Sequence, residues 1–180
     1  MMNYLSRFYD NLEKYLKPNK VLVVYGPRQV GKTTLLKHFL SKTKLKYRFD
    51  SGEDIRIQEL LKSQNFSLIR EYASDYELIV IDEAQYIPKI GLGLKILVDQ
   101  IPKLKIIVSG SSSFELAGQI GEPLVGRKKV LVLFPLAQIE LREIFNPFEL
   151  KERLEEFLIF GTYPAVLTAK TKKEKREVLE

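Results

Sequence analysis

The stretch GPRQVGKTT, Gly26 to Thr34, decides how the rest of the chain is read. It fits G-x-x-x-x-G-K-[ST], with Gly26, Gly31, Lys32 and Thr33 in the fixed places. Glycine lets the backbone turn sharply and bring its N–H groups up to a phosphate. A helix that opens at Lys32 points its positive end at the same anion. Lys32 is placed to reach β and γ phosphates, and Thr33 to put its hydroxyl on a magnesium ion. The context agrees. VLVVY (21–25) precedes the loop, and KTTLLKHFLSK follows it with Leu35, Leu36, Phe39 and Leu40 at helical spacing.

Outward from the loop, LIVI (78–81), IIV (106–108) and VLVLF (130–134) are short, β-branched and almost continuously apolar. Together with VLVVY they predict strands buried on both faces, as in a parallel sheet covered by helices. KYRF (46–49) is a weaker, outer strand. Helical patterns over 53–62, 67–73 and 92–100 alternate with the strands and give an α/β fold. After Pro135 the pattern becomes helical: LAQIELREIF and FELKERLEEFLIF, then a turn and short helix in GTYPAVL (161–167). The chain therefore divides into a core over 1–135 and a helical lid segment over 136–180. The tail KTKKEKREVLE shows no packing face of its own, as if its partners lay outside the chain.

Composition narrows the chemistry. The 180 residues include no cysteine, which removes disulfides, thiolate zinc sites and cysteine nucleophiles. No apolar run approaches the ~18 residues of a spanning helix, and the N-terminus lacks a signal-peptide core. The chain reads as cytoplasmic, with no membrane partner. Its net charge of +6, from 29 basic and 23 acidic residues, permits contact with DNA without requiring it. The single histidine, His38, falls on the helix after the loop, and G-S-S-S-F is not G-x-S-x-G, so a serine hydrolase is set aside.

The second strong strand runs out as ELIVIDEAQ, leaving Asp82 and Glu83 at the carboxyl end, where α/β sheets bind ligands. Asp82 is the candidate metal ligand with Thr33. Glu83 is the candidate base for an attacking water. The next strand ends in IIVSGSSSF, and Ser111, then Ser109, is the candidate hydroxyl for a γ-phosphate or the water. The same run also reads as a helix start capped by Ser112 or Ser113. Arg127, before the last strand, is the candidate cation for a γ-phosphate, its own or a neighbour's. Arg28 lies in the loop and is read as pointing outward.

GPRQVGKTTLL, LIVIDEAQ, IIVSGSSSFEL and the GR and FPL around the last strand together resemble the archaeal and bacterial AAA-type P-loop ATPases. The resemblance covers about residues 3–167. FGTYPAVL is similar to that family's lid motif, with Thr162 in place of its second glycine. The resemblance implies a P-loop NTPase: a parallel five-stranded sheet in the order 5-1-4-3-2, sandwiched by helices and followed by a small helical lid. It implies ATP and Mg2+ as cofactors. ATP would be held by Gly26, Pro27, Arg28, Gln29, Val30, Gly31, Lys32, Thr33 and Thr34. Metal and water would be managed by Asp82 and Glu83, phosphate sensed by Ser111, and Arg127 would be a finger or sensor. A helix containing Arg7 would pack near the adenine. It implies too that a further C-terminal domain, which selects the biological partner, is absent from the chain. Three uses remain open: hydrolysis of ATP to ADP and phosphate driving a conformational change, a nucleotide-dependent switch with little turnover, and a DNA-binding ATPase of initiator or defence type. A second copy of the chain supplying an arginine in trans is the other partner left open.

Overall fold

A computed structural model describes residues 4–111 and 120–179. Five strands, β1 (Val21–Tyr25), β2 (Tyr47–Ser51), β3 (Leu78–Asp82), β4 (Lys105–Gly110) and β5 (Lys128–Val132), form one sheet in the order β2-β3-β4-β1-β5. Every pairing is parallel, so all five carboxyl ends lie along one edge. This is the order 5-1-4-3-2.

Strand alternation sends successive side chains to opposite faces, and both faces are buried in the three central strands. One face carries Val21, Val23, Ile79, Ile81, Ile106 and Val108 against α2 (Ile55–Lys62), α3 (Phe66–Ala73) and α4 (Ile90–Gln100). The other carries Leu22, Val24, Leu78, Val80 and Ile107 against α1 (Lys32–Leu40) and Leu12 and Leu16 of the N-terminal segment. Each fully buried aliphatic side chain contributes roughly 1.5–3 kcal/mol, so this two-sided core fixes the sheet. The edge strands depart from the expected pattern. In β5, at the edge of the sheet, Val130 and Val132 are exposed while Leu131 is buried.

α2 and α3 start at Asp54 and Asn65, whose side chains accept from Arg56 N and Leu68 N. Beyond Pro135 come α5 (Gln138–Leu141), α6 (Pro147–Glu152), α7 (Leu154–Phe160), α8 (Pro164–Thr168) and α9 (Lys172–Glu177). Leu136, Leu141 and Phe157 form a small separate core there, joined by Leu5. The predicted helix 148–160 is broken at Arg153, which leaves helical geometry at ψ 2°. The tail is helical, and it finds a packing partner within the chain. It forms α9, and Lys175 is buried against Glu156, a tertiary ion pair that the charged sequence conceals.

The N-terminal segment also differs from expectation. Arg7 is not in a helix; the first helical element is a 3-10 turn, Leu12–Tyr15. The Asp10 carboxylate accepts from Arg7 N at 3.0 Å, and Asp10 N donates to Arg7 O at 3.0 Å, which closes a turn in place of a helical start.

Candidate phosphate and metal site

β1 delivers the chain into Gly26 directly beneath the end of β5. A Cβ at Gly26 would lie 2.2 Å from Leu133 O, so only glycine fits. The loop then turns through two left-handed residues, Gln29 at φ 61° and Gly31 at φ 95°. Gly31 caps α1 and offers no side-chain bond, so the first-turn N–H groups of α1 have no side-chain cap and suit an external anion. Val30 is fully buried and anchors the loop, whereas Pro27, Arg28, Gln29 and Thr34 are exposed.

Lys32 is buried, and its Nζ donates to Gly26 O at 3.0 Å and Pro27 O at 2.9 Å, folding the side chain back over the loop. Burial holds its pKa below the usual lysine value. The nearby Glu83 and Asp82 carboxylates oppose that shift, and Arg28 adds to it. Thr33 Oγ1 donates to Asp82 Oδ2 at 2.6 Å, and Ser109 Oγ donates to the other carboxylate oxygen, Oδ1. A hydroxyl and a carboxylate side by side form an all-oxygen donor pair suited to a hard cation such as Mg2+. Among the described residues there is no cluster of three or more acidic or histidine side chains for a metal. One carboxylate plus one hydroxyl is the pattern of a magnesium ion that shares its shell with phosphate oxygens and water.

Glu83 follows Asp82 in a left-handed conformation, φ 52° and ψ 43°. Its N–H donates to Ser109 Oγ at 3.2 Å. The conformation is held from the neighbouring β2 end: Gly52 N donates to Asp82 O at 2.7 Å, and a Cβ on Gly52 would come within 2.3 Å of Glu83 O. Gln85 Nε2 donates to Glu83 Oε2 and to Ser111 Oγ, the latter at 3.1 Å. Gly52 and Gln85 escaped the sequence reading. The Gly52 contact with Glu83 and the Gln85 contact with Ser111 are tertiary, whereas the Gln85 bond to Glu83 is local, within DEAQ.

The carboxyl edge of the sheet thus brings Lys32, Thr33, Asp82, Glu83, Ser109 and Ser111 together. Ser109 bonds Asp82 directly, and Ser111 is joined to Gln85. Arg127 is not brought in. Its carbonyl accepts from Val21 N at 2.8 Å and its side chain pairs with Asp99, at the amino edge of the sheet. The length of β1 separates it from the loop, roughly 13 Å at a strand's rise, so a role on its own chain's γ-phosphate is corrected. His38 stacks on Tyr4, with ring centroids 3.6 Å apart. Ser112 and Ser113 lie outside the described residues.

Beside the loop is a cavity of about 310 Å³ bounded by Tyr4, Leu5, Arg7, Gln29, Thr34 and Pro164, among others. Arg7 forms its floor. It is buried, with Nη1 donating to Val30 O at 2.8 Å, Nη2 to Phe134 O, and Nε to Glu140 Oε1 at 3.1 Å. The cavity therefore joins the N-terminal segment, the loop and the C-terminal helices. Among the described residues no helix is long and apolar enough to cross a membrane.

The sequence profile of the family described as AAA domain matches residues 18–142. An uncharacterized protein of Methanocaldococcus jannaschii is 28% identical over 185 residues, covering 94% of this chain and 41% of that protein. An uncharacterized protein of Mycobacterium tuberculosis is 32% identical over 123 residues, 68% of this chain and 26% of that protein. The chain thus spans well under half the length of these relatives. Among solved structures, a Walker-type ATPase of Pyrococcus abyssi superposes with a TM-score of 0.59 at 19% identity, covering 91% of this chain and 65% of the other. A signal-transduction ATPase with numerous domains and a tetratricopeptide repeat sensor, from Pyrococcus horikoshii, gives 0.58 at 17% identity, covering 99% and 32%. At these identities the structural likenesses concern the fold.

Proposed function

Because this chain belongs to the AAA domain family, we propose that it binds ATP with Mg2+ at the loop and hydrolyses it to ADP and phosphate, using the cycle to move its C-terminal helices. The observation that carries the proposal is the contact of Thr33 with Asp82 beside the buried Lys32. In this reading residues 26–34 cradle the phosphates and Lys32 exchanges its loop carbonyls for phosphate oxygens. Thr33 and Asp82 would hold Mg2+, which would supply positive charge to offset that of the phosphates. Glu83 accepts one proton from the water whose oxygen attacks the γ-phosphorus; the bridging P–O bond breaks and ADP leaves with the electron pair. Ser109 holds Asp82 and the Glu83 backbone in register, and Ser111, two residues further on, serves the γ-phosphate.

Residues 136–180 serve as the lid in this account. Glu140 and Pro164 face Arg7 and the cavity, so a nucleoside there would touch loop, N-terminal segment and lid at once. Arg127, at the amino edge and paired with Asp99, lies away from its own chain's loop, so a finger role for it would be toward a neighbouring copy's nucleotide. That placement favours a second reading, in which the isolated chain binds ATP but turns over little until copies assemble. Partner choice, DNA included, belongs to the whole protein.

Titration with MgATP and MgGTP, followed by hydrolysis measured against protein concentration with and without DNA, tests these readings. A turnover that rises steeply with concentration supports an arginine in trans. A flat, near-zero line with intact binding supports the switch. DNA stimulation that fades with salt supports the DNA-linked form.

A further inference from the structure

Gln85 sits on the short 3-10 turn Ala84–Tyr86, just past the β3 end. Its amide nitrogen bonds both Glu83 Oε2 and Ser111 Oγ. Its amide oxygen is buried and has no hydrogen-bond partner among the described residues. The orientation is set by chemistry: an ionised carboxylate only accepts, so the nitrogen must face Glu83 and the oxygen must turn away. A buried acceptor without a donor is rare in native structures and calls for a reason. Satisfying the oxygen by flipping the amide would break the bond to Glu83 and set two acceptors face to face.

Other contacts constrain the Glu83 main chain but not its carboxylate. Gly52 and Ser109 fix the left-handed backbone, while the hydrogen bond that reaches the carboxylate among the described residues comes from Gln85. Ser111 links the same amide to the end of β4.

We propose that Gln85 is a positioning residue that aims the Glu83 carboxylate and ties its direction to Ser111. The proposal rests on the ATPase reading above and adds the residue through which the base is oriented. Gln85 takes no proton and touches no nucleotide in this account.

The test compares wild type, Gln85→Leu, Glu83→Gln and the double variant, each first checked for ATP affinity. Gln85→Leu should lower kcat about tenfold or more while the dissociation constant for MgATP stays within about threefold. In the Glu83→Gln background the same substitution should change the residual single-turnover rate less than about twofold, because the group it acts through is gone. Wild-type turnover in Gln85→Leu would overturn the proposal, and so would an equal tenfold loss in both backgrounds. A second readout is independent of turnover. By NMR, the Gln85 side-chain NH2 should exchange with water at least about tenfold more slowly than that of exposed Gln29, and faster in Glu83→Ala. Exchange as fast as that of Gln29 would sink the positioning contact itself. If wild type hydrolyses no ATP at any concentration yet the Gln85 amide is protected, the ATPase reading fails and the contact stands.

Discussion

Thr33 Oγ1 lies 2.6 Å from Asp82 Oδ2, although 49 residues separate them and β4 runs between their strands. The contact exists because the parallel sheet puts the loop after β1 and the acid after β3 on the same edge. If the pair is a metal site, Thr33→Ala and Asp82→Asn should each weaken Mg2+-dependent nucleotide binding by about tenfold or more, ~1.4 kcal/mol. Binding in excess chelator should change little. Titration of a fluorescent nucleotide with and without Mg2+ checks this, and equal loss in both conditions would contradict it.

Gly52 is the support beneath the base. Gly52→Ala puts a Cβ 2.3 Å from the backbone oxygen of Glu83 and 2.9 Å from its carbonyl carbon, and backbone cannot rotate aside. The substitution should cost about 1–3 kcal/mol in urea unfolding and reduce turnover more than ATP affinity. Gly121→Ala, which meets no atom within 4 Å, is the control, expected within about 0.5 kcal/mol of wild type.

Arg7 and Glu140 form an ion pair with side chains 4% and 7% exposed, joining the loop to the C-terminal helices. Removing one partner leaves the other charge buried. Arg7→Met should destabilise by about 3–5 kcal/mol, and the double variant Arg7→Met/Glu140→Met should recover part of that. A double-mutant cycle on thermal and urea unfolding measures the coupling; additive losses would show that the pair acts as two independent contacts.

Alkaline pH should weaken the fold. Burial pushes the Tyr25 hydroxyl up to about 12. Tyr4 and Tyr72 are raised as well, by burial first and then by hydrogen bonds to Asp10 and Asp50. An unfolded tyrosine ionises near pH ~10, so above that the unfolded chain binds fewer protons than the folded one, and stability falls as pH rises toward about 12. Urea midpoints and phenolate absorbance across this range check it. All nine tyrosines titrating together near 10 with the fold intact would contradict it.

Much of the architecture was legible because the central strands are uninterrupted β-branched runs and the loop fixes where a strand stops and a helix starts. The edges were harder. β5 begins at Lys128, ahead of its apolar run at 130, because backbone pairing with β1 holds two lysines that hydropathy rejects. The helix around Arg7 was implied by the family resemblance, but here the Asp10 side chain turns the backbone, a local competition that a resemblance does not reveal. The choice between Arg127 serving its own chain and a neighbour was not legible along the chain, because it turns on topology: the start of a parallel strand lies at the opposite edge from every loop that follows a strand. Lys175 and Gly52 owe their importance to partners 19 and 31 residues away, and Gln85 joins Glu83, two residues back, to Ser111, 26 residues on; no pattern along the chain encodes the long-range contacts.

The central claim is that Lys32, Thr33, Asp82 and Glu83 form one triphosphate site with a working base. The most direct measurement is phosphate release from radiolabelled MgATP by wild type and Glu83→Gln, over a range of protein concentrations, with ATP affinity determined for both. The account predicts affinities within about threefold of each other and a rate lower by about 100-fold or more in the variant. Equal rates in the two proteins, or no binding of any magnesium–nucleotide complex by wild type, would contradict it.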